Sequence, residues 1–537
     1  MATLNLVLIL VIAVILSSWI SRLLPQVAPP LVHIALGAVM GRLGIDAVGI
    51  NPNLFFVLFL PPLLFVDGWR FSGHELVARA GPIASLAVGL VLVTVLCVGP
   101  ALHALLPQMP LVATLALVAV LSPTDAIAGI SLLRTAPLSR QAGRIMEGEA
   151  LLNDASALLC LHYVLVLGAT RTPSGPVIVS ELLWLGIGGL AIGAGVGVAI
   201  LSLKSAILAR LGETTATQIL ISLLFPYAAY HAADTLGASG ILASVAAGIV
   251  MGRWELGGKA LPLTRLRRAA IWDTLEFTLN GIIFILLGEQ LPGLVGKALA
   301  EAHALLLGLS IAAAYVALTL VRLVWVAVMI ARQGRHARDG ATRKVQLLTI
   351  LAMTFSGVRG AVTLAAALAL PAVLAGGSPF PSRDLVIAIA AGVIVTSLAV
   401  ANIALPLLAG PLARAAGEEG EAPQNAARLR TARAAIAAVE RMVREADGSA
   451  EGAALPWDAA GAAVLPSYRR QVERLSAAGA DRDAAEQLGI TERRLRLAGL
   501  HAQRAEITRM VSEHLIDNET ARRLLLELDG QEAWLIS

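Results

Sequence analysis

Four side chains able to hold a proton or a small cation crowd a stretch that is otherwise apolar. Glu147, Glu149, Asn153 and Asp154 lie in E-G-E-A-L-L-N-D-A-S-A-L-L, inside the hydrophobic run 145–169. Carboxylates in hydrocarbon cost at least ~2.5–3.5 kcal/mol each on insertion scales, so they face a protein interior and mark an ion or proton path. The structural alternative is a polar cluster that glues helices together. Ser122, Thr124 and Asp125 interrupt the run 111–133 as S-P-T-D, and S-G-V-R-G, with Arg359, interrupts the run 345–374. A broken helix frees backbone carbonyls, which together with the Ser122 and Thr124 hydroxyls suit a hard monovalent cation. An ionised carboxylate beside them holds either that cation or a proton.

These residues can cooperate only if they share a depth. At 1.5 Å per residue, Asp154 lies roughly 14 Å from the inner end of its run and Asp125 roughly 12 Å, both near the middle of a ~30 Å hydrocarbon core. The deep cations need partners. Arg322, in the run 300–331, lies roughly 15 Å in, Arg359 roughly 21 Å, and Glu149 only about 6 Å, so depth favours Arg322 as the partner of Glu149. Such a pair reads more naturally as structural than as part of an exchange path, because committed ions do not exchange protons cheaply.

The elements that must position these groups are membrane helices. Hydrophobic residues make up 57% of the 537 and charged residues 15%, against about 25% charged in soluble domains. Runs long enough to span number thirteen, from 2–24 to 384–412, which predicts an all-α membrane domain over 1–412 and a small helical tail over 413–537. With the N-terminus outside, eighteen basic residues fall in inner loops and four in outer loops, a positive-inside bias that puts the tail in the cytoplasm. Arginine outnumbers lysine 37 to 4, a composition that suggests a GC-rich bacterial genome and, with the spans, a bacterial inner membrane. Six helices, one linker and six more give halves of opposite orientation, the condition for an inverted repeat, and its two broken helices are expected to cross at a midplane site.

The tail, with 17 basic and 20 acidic residues, predicts helices near 424–446, 481–498 and 502–528 and carries no chemical motif. Cys97 and Cys160 read as small core residues. Asp273 and Glu276, at the start of the run 271–291, read as interfacial or as helix N-terminal residues. The basic residues cluster in loops, so no nucleic-acid partner is indicated. No H-E-x-x-H, cysteine cluster or Walker-type loop is present, which points away from an enzyme, a cofactor or ATP drive.

The run G-E-A-L-L-N-D-A (148–155) resembles the Asn-Asp motif of the monovalent cation/proton antiporter superfamily, of the electroneutral sodium/proton exchanger (NhaP-like) type. S-P-T-D-A-I-A (122–128), L-P-P-L-L-F (60–65) and G-V-R-G-A-V-T-L-A (357–365) are similar to three further motifs of that family, in its order. The resemblance covers residues 1 to about 412. It implies that Asp154 is the ion- and proton-binding carboxylate and Asn153 its structural neighbour, with Thr124 and Asp125 contributing from the unwound helix, so that Na⁺ sits at Asp154, Thr124 and Asp125. It further implies an ion pair built on Glu149, a place for Arg359 in the second crossing helix, and a homodimer.

Two departures stand out. Relatives often carry an acid directly after P-P-x-x-x, where this chain has Val66 and then Asp67; one residue turns a helix by about 100°. Relatives also often place a serine one turn before the key aspartate, where this chain has Ala150. Asp67 and Glu147 are read as candidate accessory acids. The function expected is one-for-one exchange of a cytoplasmic monovalent cation, Na⁺ first with Li⁺ and K⁺ as the alternatives, for external H⁺ by alternating access. Its rivals are a cation channel with a ring of acids and an ion-sensing regulator whose output is the tail.

Overall fold

The structure is a computed structural model describing residues 2–44, 52–71, 77–125, 140–168, 180–181, 183–211, 214–256, 262–301, 303–334, 343–374, 378–416, 422–447, 457–476, 480–513, 515–516 and 518–536. It divides into two compact units, Met1–Gly417 and Glu418–Ser537. Among the described residues there are helices and two isolated bridges, and no strand.

The first unit runs α1 Ala2–Leu23, α2 Pro29–Arg42, α3 Pro52–Arg70, α4 Ala80–Leu105, α5 Leu111–Leu121, α6 Arg140–Leu167, α7 Gly189–Leu211, α8 Thr215–Thr235, α9 Gly240–Leu256, α10 Pro262–Glu301, α11 Ala304–Gly334, α12 Arg343–Phe355, α13 Ala361–Leu368 and α14 Arg383–Ala416. Six helices among the described residues are long and apolar enough to cross a membrane: Ala80–Leu105, Gln141–Leu167, Trp184–Ile207, Thr264–Leu299, Ala304–Arg332 and Arg383–Leu412. Others are shorter, such as α2 with 14 residues and α5 with 11. Burial decides the difference, since Ala113 to Leu121 of α5 are almost wholly enclosed and a helix wrapped in protein need not match the bilayer.

Bilayer-facing surfaces explain the rest of the hydropathy. On α11, Leu307, Ala314, Leu318 and Val326 are buried while Leu309, Val316, Leu320 and Val324 are exposed. A helix apolar on both faces is satisfied only by protein on one side and lipid on the other. Cys97 is exposed and Cys160 half-buried, which corrects their expected place in the core; Cys97 follows the exposed Leu96 on α4.

α10 is 40 residues long, roughly 60 Å, and begins well before the apolar run 271–291. Asp273 and Glu276 therefore stand inside a helix rather than at its N-terminus. They clasp Arg70 at the end of α3, at 2.6 Å from Asp273 and 2.7 Å from Glu276.

In the second unit the described helices are α15 Ala422–Asp447, α16 Trp457–Ser476, α17 Ala480–Ser512 and α18 Asn518–Ile536, four where three were expected. α16 packs on α15, with Gly461 against Val443 and Arg469 bonded to Glu440 at 3.2 Å. α17 and α18 pair through Leu500, Ile507, Ala521 and Leu528, and Arg504 bonds Asp529 and Glu532 across the pair. α16, with Pro466 inside it, is the helix that was not expected.

Candidate cation and proton site

Both interruptions read from the sequence open the helix. α5 stops at Leu121 and the chain runs through Ser122–Asp125 without helix; its continuation, residues 126–133, lies outside the described residues. α12 stops at Phe355 and resumes as α13 at Ala361. The two openings meet: Asp125 N–H donates to the Val358 carbonyl at 2.7 Å, forming an isolated antiparallel bridge.

Each opening leaves helix ends with unpaired backbone groups and partial charge. Arg359, buried, donates from Nε to the Leu121 carbonyl at 3.1 Å and from Nη1 to the Gly357 carbonyl at 2.7 Å. It therefore neutralises the negative ends of α5 and α12 and does not join the Glu149 ion pair, a correction to its grouping with that pair. Asp125 stands at the opposite pole. A Cβ at Gly360, the residue before α13, would sit 2.6 Å from Asp125 Oδ2, so this carboxylate lies against the positive end of α13. Arg359 N–H donates to Ser397 Oγ at 3.1 Å; Ser397, next to Thr396 in an otherwise apolar stretch of α14, was not singled out in the sequence.

Glu149 and Asn153, four residues apart, share a face of α6, and that face meets the α5 opening. Glu149 and Arg322, each about 2% exposed, form a two-point ion pair, Nη1 to Oε1 and Nη2 to Oε2, the latter at 3.0 Å. Arg322 Nε donates to the Met353 carbonyl at 3.1 Å. Gly357 makes the room: a Cβ there would stand 2.5 Å from Arg322 Nε.

Thr124 ties these groups together. An ionised carboxylate only accepts, so the Thr124 hydroxyl donates to Glu149 Oε1 at 2.9 Å. It then accepts from Asn153 Nδ2 at 3.1 Å and from Arg322 Nη1 at 3.4 Å. Asn153 Nδ2 also donates to the Thr124 carbonyl at 2.9 Å. The hydroxyl expected to bind a cation thus has its one donor and two acceptor positions filled by protein. Ser122 Oγ donates to the Ala119 carbonyl at 2.9 Å, and Glu147 pairs with Arg144 at 3.0 Å on a half-exposed part of α6. Glu147 is therefore not part of the buried set.

Asp154 is different. It is 9% exposed, and among the described residues no hydrogen-bond donor contacts its carboxylate. Asp125 and Asp67 lie close enough to interact with it electrostatically. Val66 is buried beside Phe65, Phe225 and Trp272, whereas Asp67, one residue on, is half-buried and within electrostatic reach of Asp154 and Asp125. The one-residue shift from the usual place of this acid leaves Asp67 within electrostatic reach of Asp154.

Residues 7–409 match the family described as sodium/hydrogen exchanger, transmembrane. The chain belongs to the sodium/hydrogen exchanger family. Among its relatives, the uncharacterized Na⁺/H⁺ exchanger YjcE of Escherichia coli (strain K12) is 36% identical over 99% of this chain and 98% of its own. A protein of Bacillus pumilus (strain SAFR-032), a sodium, potassium, lithium and rubidium/H⁺ antiporter, is 32% identical over 96% of this chain and 76% of its own. The solved sodium proton antiporter MjNhaP1 of Methanocaldococcus jannaschii at pH 8 shares the fold, with a TM-score of 0.55 at 18% identity over 77% of this chain and 99% of that one. The match to YjcE extends the exchanger's likeness through the 413–537 tail, beyond the motifs that carry it in the sequence. As a family member it is a secondary transporter rather than an enzyme, set in a membrane.

Proposed function

We propose that the exchanger carries a monovalent cation, Na⁺ first, against H⁺ one for one by alternating access, with Asp154 holding either the cation or the proton. The observation that carries this is the isolation of the Asp154 carboxylate. Arg359 and Asp125 compensate the broken helix ends, and Thr124, Glu149 and Arg322 satisfy one another with the help of Asn153 Nδ2, which leaves Asn153 Oδ1 buried without a described donor. Among the described residues Asp154 is the deep acid left without a donor, so a proton or a cation meets no described competitor there. Asp125 and Asp67 add negative field, Thr124 holds the α5 opening against α6 rather than lending it a ligand, and Asn153 ties α6 to the opening through Nδ2 while its Oδ1 stays without a described partner. The cation range printed for the Bacillus pumilus relative extends the candidates to K⁺, Li⁺ and Rb⁺.

An inverted repeat of α1–α6 and α8–α14 underlies this cycle. α2 lies against α10 as α9 lies against α3, α4 against α5 as α11 against α12, and α5 against α6 as α12 against α14; exchanging the halves maps each contact onto its counterpart. The first pair of crossings is close enough to need glycine on both helices. A Cβ at Gly37 or Gly288 would meet the Ile285 or Ile34 carbonyl at 2.0 Å, and at Gly68 or Gly248 the Val245 or Phe65 carbonyl at 2.3 or 2.2 Å. Thirteen spans, an outside N-terminus, a cytoplasmic tail, a bacterial plasma membrane and a homodimer complete the reading. The test is dequenching of a pH dye in proteoliposomes, with each cation added in turn. Cation-dependent proton flux by wild type and its loss in Asp154→Asn are expected; flux at the wild-type rate in the variant overturns the assignment.

A further inference from the structure

Arg70 stands among the acids at one end of the bundle. Its Nη2 and Nη1 bond Asp273 and Glu276 of α10, and one turn back on α3 lies Asp67. Glu276 and Arg70 are both within electrostatic reach of Asp67, which in turn reaches Asp125 and Asp154. The side chains become more enclosed along this line: Asp273 is 65% exposed, Arg70 43% and Glu276 20%, Asp67 is half-buried and Asp154 9% exposed. This is the end that the positive-inside bias assigns to the cytoplasm.

We infer that Arg70 is an affinity-determining residue, a tethered cation that occupies the Asp273–Glu276 pair and offsets the negative field along which the transported cation reaches Asp154 from the cytoplasmic side. The inference rests on the reading of Asp154 proposed above. A monovalent cation approaching this mouth meets carboxylates on α3 and α10 whose charge one guanidinium partly cancels. Removing Arg70 deepens the attractive field at Asp67 and Asp154; removing Glu276 weakens it. Partly exposed charges act through an effective dielectric well above that of a dry interior and within a screening length of about 8–10 Å, so the effect on affinity is moderate and depends on salt. A clasp that only held α3 to α10 would give no such pair of opposite signs.

The experiment is the half-saturating Na⁺ concentration in everted membrane vesicles, which present this end to the bath, read with a pH dye at low ionic strength and at a pH high enough that this value no longer changes with pH, since below it the same field strengthens proton and cation binding alike. Arg70→Gln is expected to lower it by about threefold or more, and Glu276→Gln to raise it by a similar factor. The double variant should return near the wild-type value, and choline chloride at about 0.5 M should shrink all three differences. Half-saturating values that stay at wild type, or that weaken in both single variants, overturn the inference. If Arg70→Gln does not accumulate, Glu276→Gln alone decides, because it removes an acid without leaving two unpaired carboxylates. An inactive Asp154→Asn beside unchanged Arg70 and Glu276 variants defeats this inference alone, whereas an active Asp154→Asn defeats the reading on which it rests.

Discussion

Asp154 and Thr124 are both buried polar groups, yet their surroundings differ. Thr124 is bonded on every side and Asp154 by no described donor. A group saturated by protein cannot trade partners during a cycle without breaking bonds worth about 0.5–1.5 kcal/mol net each, whereas an unbonded carboxylate exchanges one small cation for another at little internal cost. Asp154→Asn keeps size and burial while removing the charge, so it should abolish exchange and leave the protein folded. Dye dequenching and a thermal melt on the same preparation check the two halves of that statement.

Helices acquire their function here by being interrupted. The α5 and α12–α13 openings create helix ends in the protein interior, and the side chains that answer them come from the opposite opening, Arg359 for α5 and Asp125 for α13. Gly360 is the contact point. Gly360→Ala would bring a Cβ to 2.6 Å from Asp125 Oδ2 and should cost about 1–3 kcal/mol by overpacking, while lowering exchange because Asp125 and the α13 end move apart. A variant with wild-type melting and wild-type flux would contradict the crossing described. The Glu149–Arg322 pair couples α6 to α11. Breaking it by Glu149→Ala or Arg322→Ala leaves an uncompensated buried charge at about 3–5 kcal/mol, and removing both costs less than the sum of the two. Thermal or denaturant melts of the two single variants and the double variant decide the matter, and additive losses would mean that the two residues act independently.

For the whole molecule the consequence is competition. If proton and cation share Asp154, each bound cation displaces one proton. The half-saturating Na⁺ concentration then rises about tenfold for each unit that the pH falls once it is well below the pKa of that carboxylate. Above the pKa the site is already deprotonated and the dependence levels off. The measurement is made in proteoliposomes at several symmetrical pH values with no imposed voltage. Separate sites for the two ions would let low pH slow turnover while leaving the cation affinity flat, and that result would end the shared-site cycle even with Asp154 essential.

Membrane character, the two broken runs and the polar residues within them were determined by the sequence alone. Charge in hydrocarbon is costly enough that its placement is informative without coordinates, and S-P-T-D and S-G-V-R-G cannot continue a helix smoothly. Depth arithmetic even selected Arg322 over Arg359 for Glu149, since partners must lie at one level. What each group does with its neighbours was decided only by the tertiary structure. Residues on α5, α6, α11, α12 and α14 meet across up to 238 positions of chain, as in the bond from Arg359 to Leu121. No periodicity within one helix states which lone pair of Thr124 is filled, that Ser397 answers the Arg359 amide, or that α10 continues through charged residues to clasp Arg70. Hydrogen bonds are directional and saturable, so whether a polar residue is committed or available depends on every partner within about 3.5 Å, and those partners come together only when the helices pack.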